Sequence, residues 1–337
     1  MSGGEAVCTR CGATVAAADR FCEGCGTVLS GMHQVAVPKP AVDASAPCAD
    51  CGQDMFVDDY CIACGSRRAE PDRDQAALED IVLITDRGIE HPRNEDAAAA
   101  GIVVGASGEQ CIAVAVCDGV STSAAAHLAA VGASTAGVEA MLNALAVSSK
   151  SESAILAGLD AATRAAATAG EGTADAWMAP SCTYTAAIVV PTSPDAVEIT
   201  VGNVGDSRVY WLPESPSTAQ CLTVDDSVAQ ELITAGVAAD SAAVLAGAHT
   251  LTRWLGADAG PSPWSDSSIR ALTTTDRGIL VVCSDGLWNY LPEAGDIARI
   301  AAGTDVTDKA NALVEFALAA GGHDNITVAV IPIGGHP

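Results

Sequence analysis

Apolar runs separated by polar breaks set the layout of this chain, and their texture changes near residue 80. From there, strand-like runs are Ile81–Thr85, Ala97–Val104, Ile112–Cys117, Cys182–Val190, Val197–Val204, Arg208–Leu212, Ile269–Leu272, Ile279–Cys283 and Ile326–Ile333. Longer Ala-rich stretches predict helices over Ser123–Ala146 and Ser153–Ala169, although Gly132, Gly137 and Gly158 lower their propensity. Ser227 is an N-cap for a helix over Val228–Ala235, and Ala294–Ala302 and Thr307–Ala319 predict two more. Residues 171–180 read as a loop and residues 236–265 as irregular. Strands outnumber helices, and the longer helices come in two adjacent pairs. That order disfavours a doubly wound parallel sheet and predicts an α+β fold of stacked sheets flanked by helices.

The N-terminal part follows different rules. Cys8-Thr-Arg-Cys11 and Cys22-Glu-Gly-Cys25 form one unit, and Cys48-Ala-Asp-Cys51 and Cys61-Ile-Ala-Cys64 repeat it. Each second cysteine of a pair is followed by glycine. Four thiolates in two such pairs match a closed, tetrahedral, structural Zn²⁺ site. Neither unit can bury a core, so metal would supply its folding energy. The expectation is two Zn²⁺ ions, one on Cys8, Cys11, Cys22 and Cys25 and one on Cys48, Cys51, Cys61 and Cys64. The domain reading is ribbon 1 over 1–29, linker 30–47, ribbon 2 over 48–66, linker 67–79 and a large domain over 80–334. Pro38, Pro40 and Pro47 mark the first linker.

Composition narrows the function. The formal charge of -26 argues against a nucleic-acid partner, since phosphate backbones need basic surface. The acidity is not a tail: residues 1–70 carry nine Asp/Glu against five Lys/Arg, and the rest carries 33 against 11. The thirteen cysteines, with no export signal in view, read as reduced thiols or metal ligands. No stretch reads as a membrane span. A cytoplasmic protein is expected.

Acidic residues sit at the edges of the apolar runs: Asp96 before Ala97–Val104, Asp118 after Ile112–Cys117, Asp206 after Val197–Val204, Asp285 after Ile279–Ser284 and Asp324 before Ile326–Ile333. Each alone is an ordinary turn residue. Gathered on one rim of a sheet, they would offer the oxygen ligands that hard divalent cations require.

Their local contexts occur in a telling order. Thr85-Asp-Arg-Gly88, Asn94-Glu-Asp96, Val116-Cys-Asp-Gly119, Gly202-Asn-Val-Gly-Asp-Ser-Arg208, Cys283-Ser-Asp-Gly-Leu287 and Gly321-Gly-His-Asp-Asn-Ile-Thr-Val328 together closely resemble the metal-dependent Ser/Thr protein phosphatases, the PPM or type 2C family. Leu222-Thr-Val-Asp-Asp-Ser227 and Leu251-Thr-Arg-Trp-Leu-Gly256 resemble segments of bacterial members. The resemblance covers the chain from Ile81 to Ile333. It implies an αββα two-sheet sandwich and a binuclear Mn²⁺/Mg²⁺ centre. Carried over by motif, Asp118 would bridge the metals, with the Gly119 carbonyl on one and Asp285 and Asp324 on the other. Glu95 and Asp96 would act through water, Asp206 would hold a third ion with Asp285, and Asn325 would brace the site. The implied activity is hydrolysis of phosphoserine and phosphothreonine in proteins by metal-activated water, opposing a Ser/Thr kinase. Residues 224–262 would form a flap beside the site.

The chain also departs from the family. Where the family often has a phosphate-binding Arg, five residues before the Asp of Asn-Glu-Asp, this chain has His91. His91 and Arg93 therefore join the catalytic candidates, with Arg87 nearby. Val120-Ser-Thr-Ser123 replaces a Gly-rich turn that often begins with His or Met. His127, His249 and His323 default to structural roles. The rival expectations are a pseudophosphatase that keeps the fold without turnover, and an interaction scaffold in which the zinc ribbons are primary.

Overall fold

The computed structural model describes residues 6–7, 14–15, 24, 31–39, 47–48, 51–57, 60–65, 73–105, 109–123, 125–147, 150–169, 179–215, 218–260, 262–301 and 303–334. The four cysteines of the first ribbon lie outside the described residues.

Two six-stranded antiparallel sheets stack face to face. In chain order the strands and helices that build the sandwich are β1 (Met32–Val37), β2 (Arg73–Leu78), β3 (Ile81–Asp86), β4 (Ala97–Val104), β5 (Gln110–Cys117), α1 (Ala126–Ala146), α2 (Ser151–Thr168), β6 (Tyr184–Ser193), β7 (Ala196–Val204), β8 (Arg208–Pro213) and β9 (Gln220–Cys221). They continue with α3 (Val228–Thr234), α4 (Ala242–Ala246), β10 (Ile269–Thr274), β11 (Gly278–Cys283), α5 (Asp285–Trp288), α6 (Ala294–Ile300), α7 (Val306–Ala320) and β12 (Ile326–Ile333). Sheet one has the order β10-β7-β6-β5-β4-β1, and sheet two β9-β8-β11-β12-β3-β2.

Period-two alternation separates the layers. In β4, Ala97 and Ala99 face α1 and α2, while Ala98 and Ala100 face sheet two. In β5, Ala113, Ala115 and Cys117 face the helices, and Val114 and Val116 face the opposite sheet. A third core lies between sheet two and α6/α7, around Leu287, Ile297, Leu313 and Val314. Small side chains on both faces of β4 and β5 let the layers pack closely, so the scarcity of aromatics is tolerated. This is the αββα sandwich expected from the order of elements.

Three expectations need correction. Both stretches read as linkers contain a strand: β1 pairs with β4 (Met32 with Val103, Val37 with Ala98), and β2 pairs with β3 (Arg73 with Asp86, Leu78 with Ile81). Each is an edge strand with only part of one face inward, Val37 and Ala76 reaching the central core, so each carries the polar residues of a linker. The second correction is a helix at Asp285–Trp288 where Asp285 was read simply as closing a strand. The third concerns α1, which by length and composition alone would pass as a membrane span. In the fold it is the core helix packed on α2 and sheet one, with half of the relevant window buried.

Candidate metal centre and cleft

Strand register brings the acidic residues together. Ala97 pairs with Cys117, Thr185 with Val116, and Tyr184 with Val204, so the start of β4 and the ends of β5 and β7 share one end of sheet one. Cys283 pairs with Val328 and with Arg208, and Ile326 with Asp86, so the end of β11 and the start of β12 share the matching end of sheet two. Asp96, Asp118, Asp206, Asp285 and Asp324 all flank that end. A cleft of about 770 Å³ opens there, lined by Asp118, Asp206, Asp285 and Asp324 among others. Asp96 is buried behind it, close enough for the charges of Asp324 and Asp285 to act on it.

The backbone around the acids is tightly cross-braced. Asp118 N–H donates to Thr183 Oγ1 (2.9 Å), and Asp118 C=O accepts from Thr183 N–H (2.8 Å). Asn325 Oδ1 accepts from Glu95 N–H (2.7 Å), and its Nδ2 donates to the carbonyls of Arg87 (2.7 Å) and Arg93 (3.0 Å). One amide thus ties three points of the single loop between β3 and β4 to the start of β12. Gly119 is wedged against Glu95, whose carbonyl would lie 2.6 Å from any Cβ there. Gly88 has φ +73, and a Cβ there would lie 2.1 Å from the Asp324 carbonyl. Both positions exclude a side chain so that the acidic loops can meet.

The electrostatics are strained in one direction. Burial pushes Asp96 up to about 7 and Asp206 up to about 8. Burial, then the charges of Asp96, Asp285, Asp206 and Asp324, hold Asp118 well above the usual carboxylate range. Burial, then Asp285, raises Asp324, and burial raises Glu95. Both oxygens of Asp96 and Oδ1 of Asp285 are buried without a hydrogen-bond partner among the described residues. Buried, mutually repelling carboxylates with orphaned oxygens fit a site that binds a cation. The donor set is all oxygen, which fits Mn²⁺ or Mg²⁺.

The remaining candidates are placed differently. His91 Nε2 lies 3.1 Å from Asp324 Oδ1, and Arg93 Nε lies 4.0 Å from Glu95 Oε1. Neither is among the residues lining the cleft. His127 sits on α1, also outside the lining. His249 and His323, read from sequence as structural, both line it. His249 Nδ1 is 3.6 Å from Asp285 Oδ2, and its ring stacks on Trp288 at 6.3 Å. His323 Nδ1 is 2.7 Å from Glu90 Oε1, and its ring stacks on Tyr290 at 6.1 Å. The sequence signal missed for His323 was its adjacency to Asp324; for His249 only the flap position pointed there.

Under the centre, Arg208 forms a bidentate pair with Asp225 (3.0 and 2.7 Å) and lies 3.6 Å over the Trp288 ring. Trp288 Nε1 donates to the Asp206 carbonyl at 2.9 Å. The base of the flap, α5 and the Asp206 turn are thereby one unit.

Away from the cleft, Cys48, Cys51, Cys61 and Cys64 bring their sulfurs within 4.8 Å of one another. Cys48 and Cys64 Sγ are 3.6 Å apart, and Cys51 and Cys61 Sγ 3.4 Å. A tetrahedron with Zn–S bonds of about 2.3 Å has S···S edges of about 3.8 Å. Gly52 (φ +72) and Gly65 (φ +76) close the two knuckles, with Gly52 N–H donating to Cys48 C=O (2.7 Å) and Gly65 N–H to Cys61 C=O (2.8 Å).

Known proteins resemble the chain as follows. The chain is 33% identical over 135 residues to the serine/threonine phosphatase stp of Listeria welshimeri, covering 40% of this chain and 51% of that protein. It spans about half the length of the curated relatives it matches. The crystal structure of serine/threonine phosphatase Stp1 from Staphylococcus aureus superposes with a TM-score of 0.56 at 20% identity, covering 77% of this chain and 96% of that one. The catalytic domain of the serine threonine protein phosphatase PstP in complex with 2 manganese ions gives 0.52 at 22% identity, covering 74% and 96%. The sandwich is therefore the fold of these phosphatases. No family model matches the chain.

Proposed function

We propose that this chain is a PPM-type phosphatase that hydrolyses phosphoserine and phosphothreonine in proteins, using two or three Mn²⁺ or Mg²⁺ ions. The observation that carries the reading is the set of five buried or half-buried aspartates at one end of the sandwich, with three orphaned oxygens on Asp96 and Asp285 and, among the described residues, only His91 and His249 in ion-pair reach of the five. The Listeria relative and the manganese-bound PstP domain support it. An opposing Ser/Thr kinase and a cytoplasmic setting belong to the same proposal.

Asp118, with the Gly119 carbonyl, Asp285 and Asp324 would be the core ligands; Glu95 and Asp96 would hold coordinated water, and Asp206 a further ion. Divalent ions bound there lower the pKa of water and neutralise phosphate oxygens during in-line attack. The chain's own residues orient that chemistry. Asn325 fixes the loops bearing Glu95 and Asp324, and the Thr183–Asp118 bonds fix the floor. His91 is held against Asp324, so in this reading it positions that ligand more directly than it meets phosphate.

Hydrolysis of a phosphothreonine peptide in the presence and absence of Mn²⁺, with Asp285→Asn alongside, tests the reading. Mn²⁺-dependent turnover abolished by the substitution is expected. No turnover by the wild type under Mn²⁺ would leave the pseudophosphatase reading, which the absence of Lys and Arg among the described lining residues favours.

We also propose that Cys48, Cys51, Cys61 and Cys64 hold one structural Zn²⁺, supported by the sulfur spacing and the knuckle glycines. The same chemistry is assigned to Cys8, Cys11, Cys22 and Cys25 from their spacing alone. Elemental analysis of the intact protein should find two Zn per chain; one would restrict the assignment to the second ribbon.

A further inference from the structure

The cleft is unusual in what it lacks. Among the described residues its lining contains five aspartates, Asp118, Asp206, Asp258, Asp285 and Asp324, and no Lys or Arg. Glu95 and Asp96 adjoin it, raising the acidic set to seven, and two or three divalent ions supply only four to six positive charges. Among the described residues, Arg93 faces Glu95 (4.0 Å), one of those seven, while Arg253 faces Asp226 (3.2 Å) and Arg208 is locked on Asp225. The flap adds to the imbalance. Residues 224–262 carry Asp225, Asp226, Glu231, Asp240 and Asp258 against the single Arg253. A phosphate dianion entering this site brings further negative charge into a field that is already negative beyond the metals.

One acidic group is not required for the metals. Asp258 is exposed at the cleft, on the flap, and its Oδ1 accepts from Trp254 Nε1 at 3.0 Å. The bond holds a carboxylate beside a half-buried indole. An aromatic face next to a carboxylate suits a guanidinium or ammonium group, by cation–π contact and by a charge-assisted hydrogen bond. Leu251 and Val120 also line the cleft and offer apolar surface for the stem of such a side chain.

We propose that the site selects phosphoserine and phosphothreonine embedded in basic sequence, with an Arg or Lys of the substrate seated at Trp254 and Asp258. The proposal rests on the phosphatase reading above. The substrate then carries the positive charge that the family's arginine supplies elsewhere and that this cleft omits. The negative field of the cleft and flap would also steer basic substrates and repel acidic ones, an effect that salt weakens.

The test compares phosphothreonine peptides of equal length with Arg, Ala or Glu flanking the phosphosite, assayed with the full chain and saturating Mn²⁺. The expected result is kcat/KM at least tenfold higher for the Arg peptide than for the Glu peptide at low salt. The ratio should narrow several-fold at high salt and again in Asp258→Asn, chiefly through KM. Equal turnover of all three peptides, or preference for the Glu peptide, overturns the proposal and leaves the phosphatase reading standing. A ratio unmoved by Asp258→Asn overturns the seat at Trp254 and Asp258. No turnover of any peptide overturns both readings.

Discussion

Asp96 and Asp206 carry a consequence that can be checked without any substrate. Their folded-state values, about 7 and about 8, lie above the ordinary carboxylate value of 3.8, chiefly through burial. Between those limits the unfolded chain has lost the protons while the metal-free folded chain keeps them. The folded state then binds more protons, so stability falls as pH rises. Stripped of divalent ions, the protein should lose Tm progressively from pH 5 to pH 8. Mn²⁺ replaces the protons with a cation, so it should raise Tm far more at pH 8 than at pH 5. Calorimetry across that range checks this; a metal-free Tm that rises over the same interval would contradict it. Gly88 permits a second check at this scale. Gly88→Ala meets both a positive φ and the Asp324 carbonyl, so it should cost on the order of 2–3 kcal/mol in urea unfolding and lower Mn²⁺ affinity. At this scale the sequence was most readable for acids inside motifs, because the motif fixes the turn that aims them. It was least readable for His249 and Trp254, whose place depends on how the flap folds back over the rim.

Elements explain why. Register in the two sheets is dictated by alternation, so β4, β5, β7, β11 and β12 could be read from apolar runs, and their ends place the rim. β1 and β2 escaped that reading because an edge strand buries little and pairs on one side only. The flap is organised by caps and ion pairs more than by burial. Ser227 Oγ accepts from Gln230 N–H (3.2 Å) at the start of α3, the N-cap expected from sequence. Below it, Arg208 joins the flap base to α5, and both partners are largely buried, at 19% and 11% side-chain exposure. Arg208→Met would leave Asp225 unpaired in that setting and should destabilise by about 3–5 kcal/mol. Because Trp288 also holds the Asp206 carbonyl and stacks on His249, the same substitution should weaken Mn²⁺ dependence as well as stability. Urea melts paired with Mn²⁺ titrations read both; a loss of stability with unaltered Mn²⁺ affinity would separate the strut from the metal centre.

At the scale of the whole molecule, the second cysteine knuckle sits in the connection between the edge strands of opposite sheets. β1 ends at Val37 and β2 begins at Arg73, so residues 38–72 must pass from one sheet to the other. Metal closure between Cys48 and Cys64 shortens that connection to roughly half its length, worth only about 0.5 kcal/mol in loop-closure entropy. The strands are meanwhile joined directly: just past β1, Lys39 N–H donates to Asp74 Oδ2 (2.5 Å) and Lys39 Nζ to Gln75 C=O (2.6 Å), both on β2. Against a domain stability on the order of 5–15 kcal/mol, the entropic contribution is small. On the proposed Zn²⁺ reading the knuckle itself would depend on metal far more, because Met55, Val57, Tyr60 and Ile62 are all exposed on it and leave little to fold around. Cys64→Ser should therefore lose one Zn equivalent and open the knuckle at residues 51–57 and 60–65 to protease, while the main unfolding transition moves by only about 1–2 °C. The substitution is a cleaner probe than a chelator, which would also strip the carboxylate centre and mix the two metals' effects. A fall of about 10 °C in the main transition, far beyond what loop closure supplies, would mean that the knuckle fastens the open edges of the sandwich and that thiolate and carboxylate metals stabilise one unit.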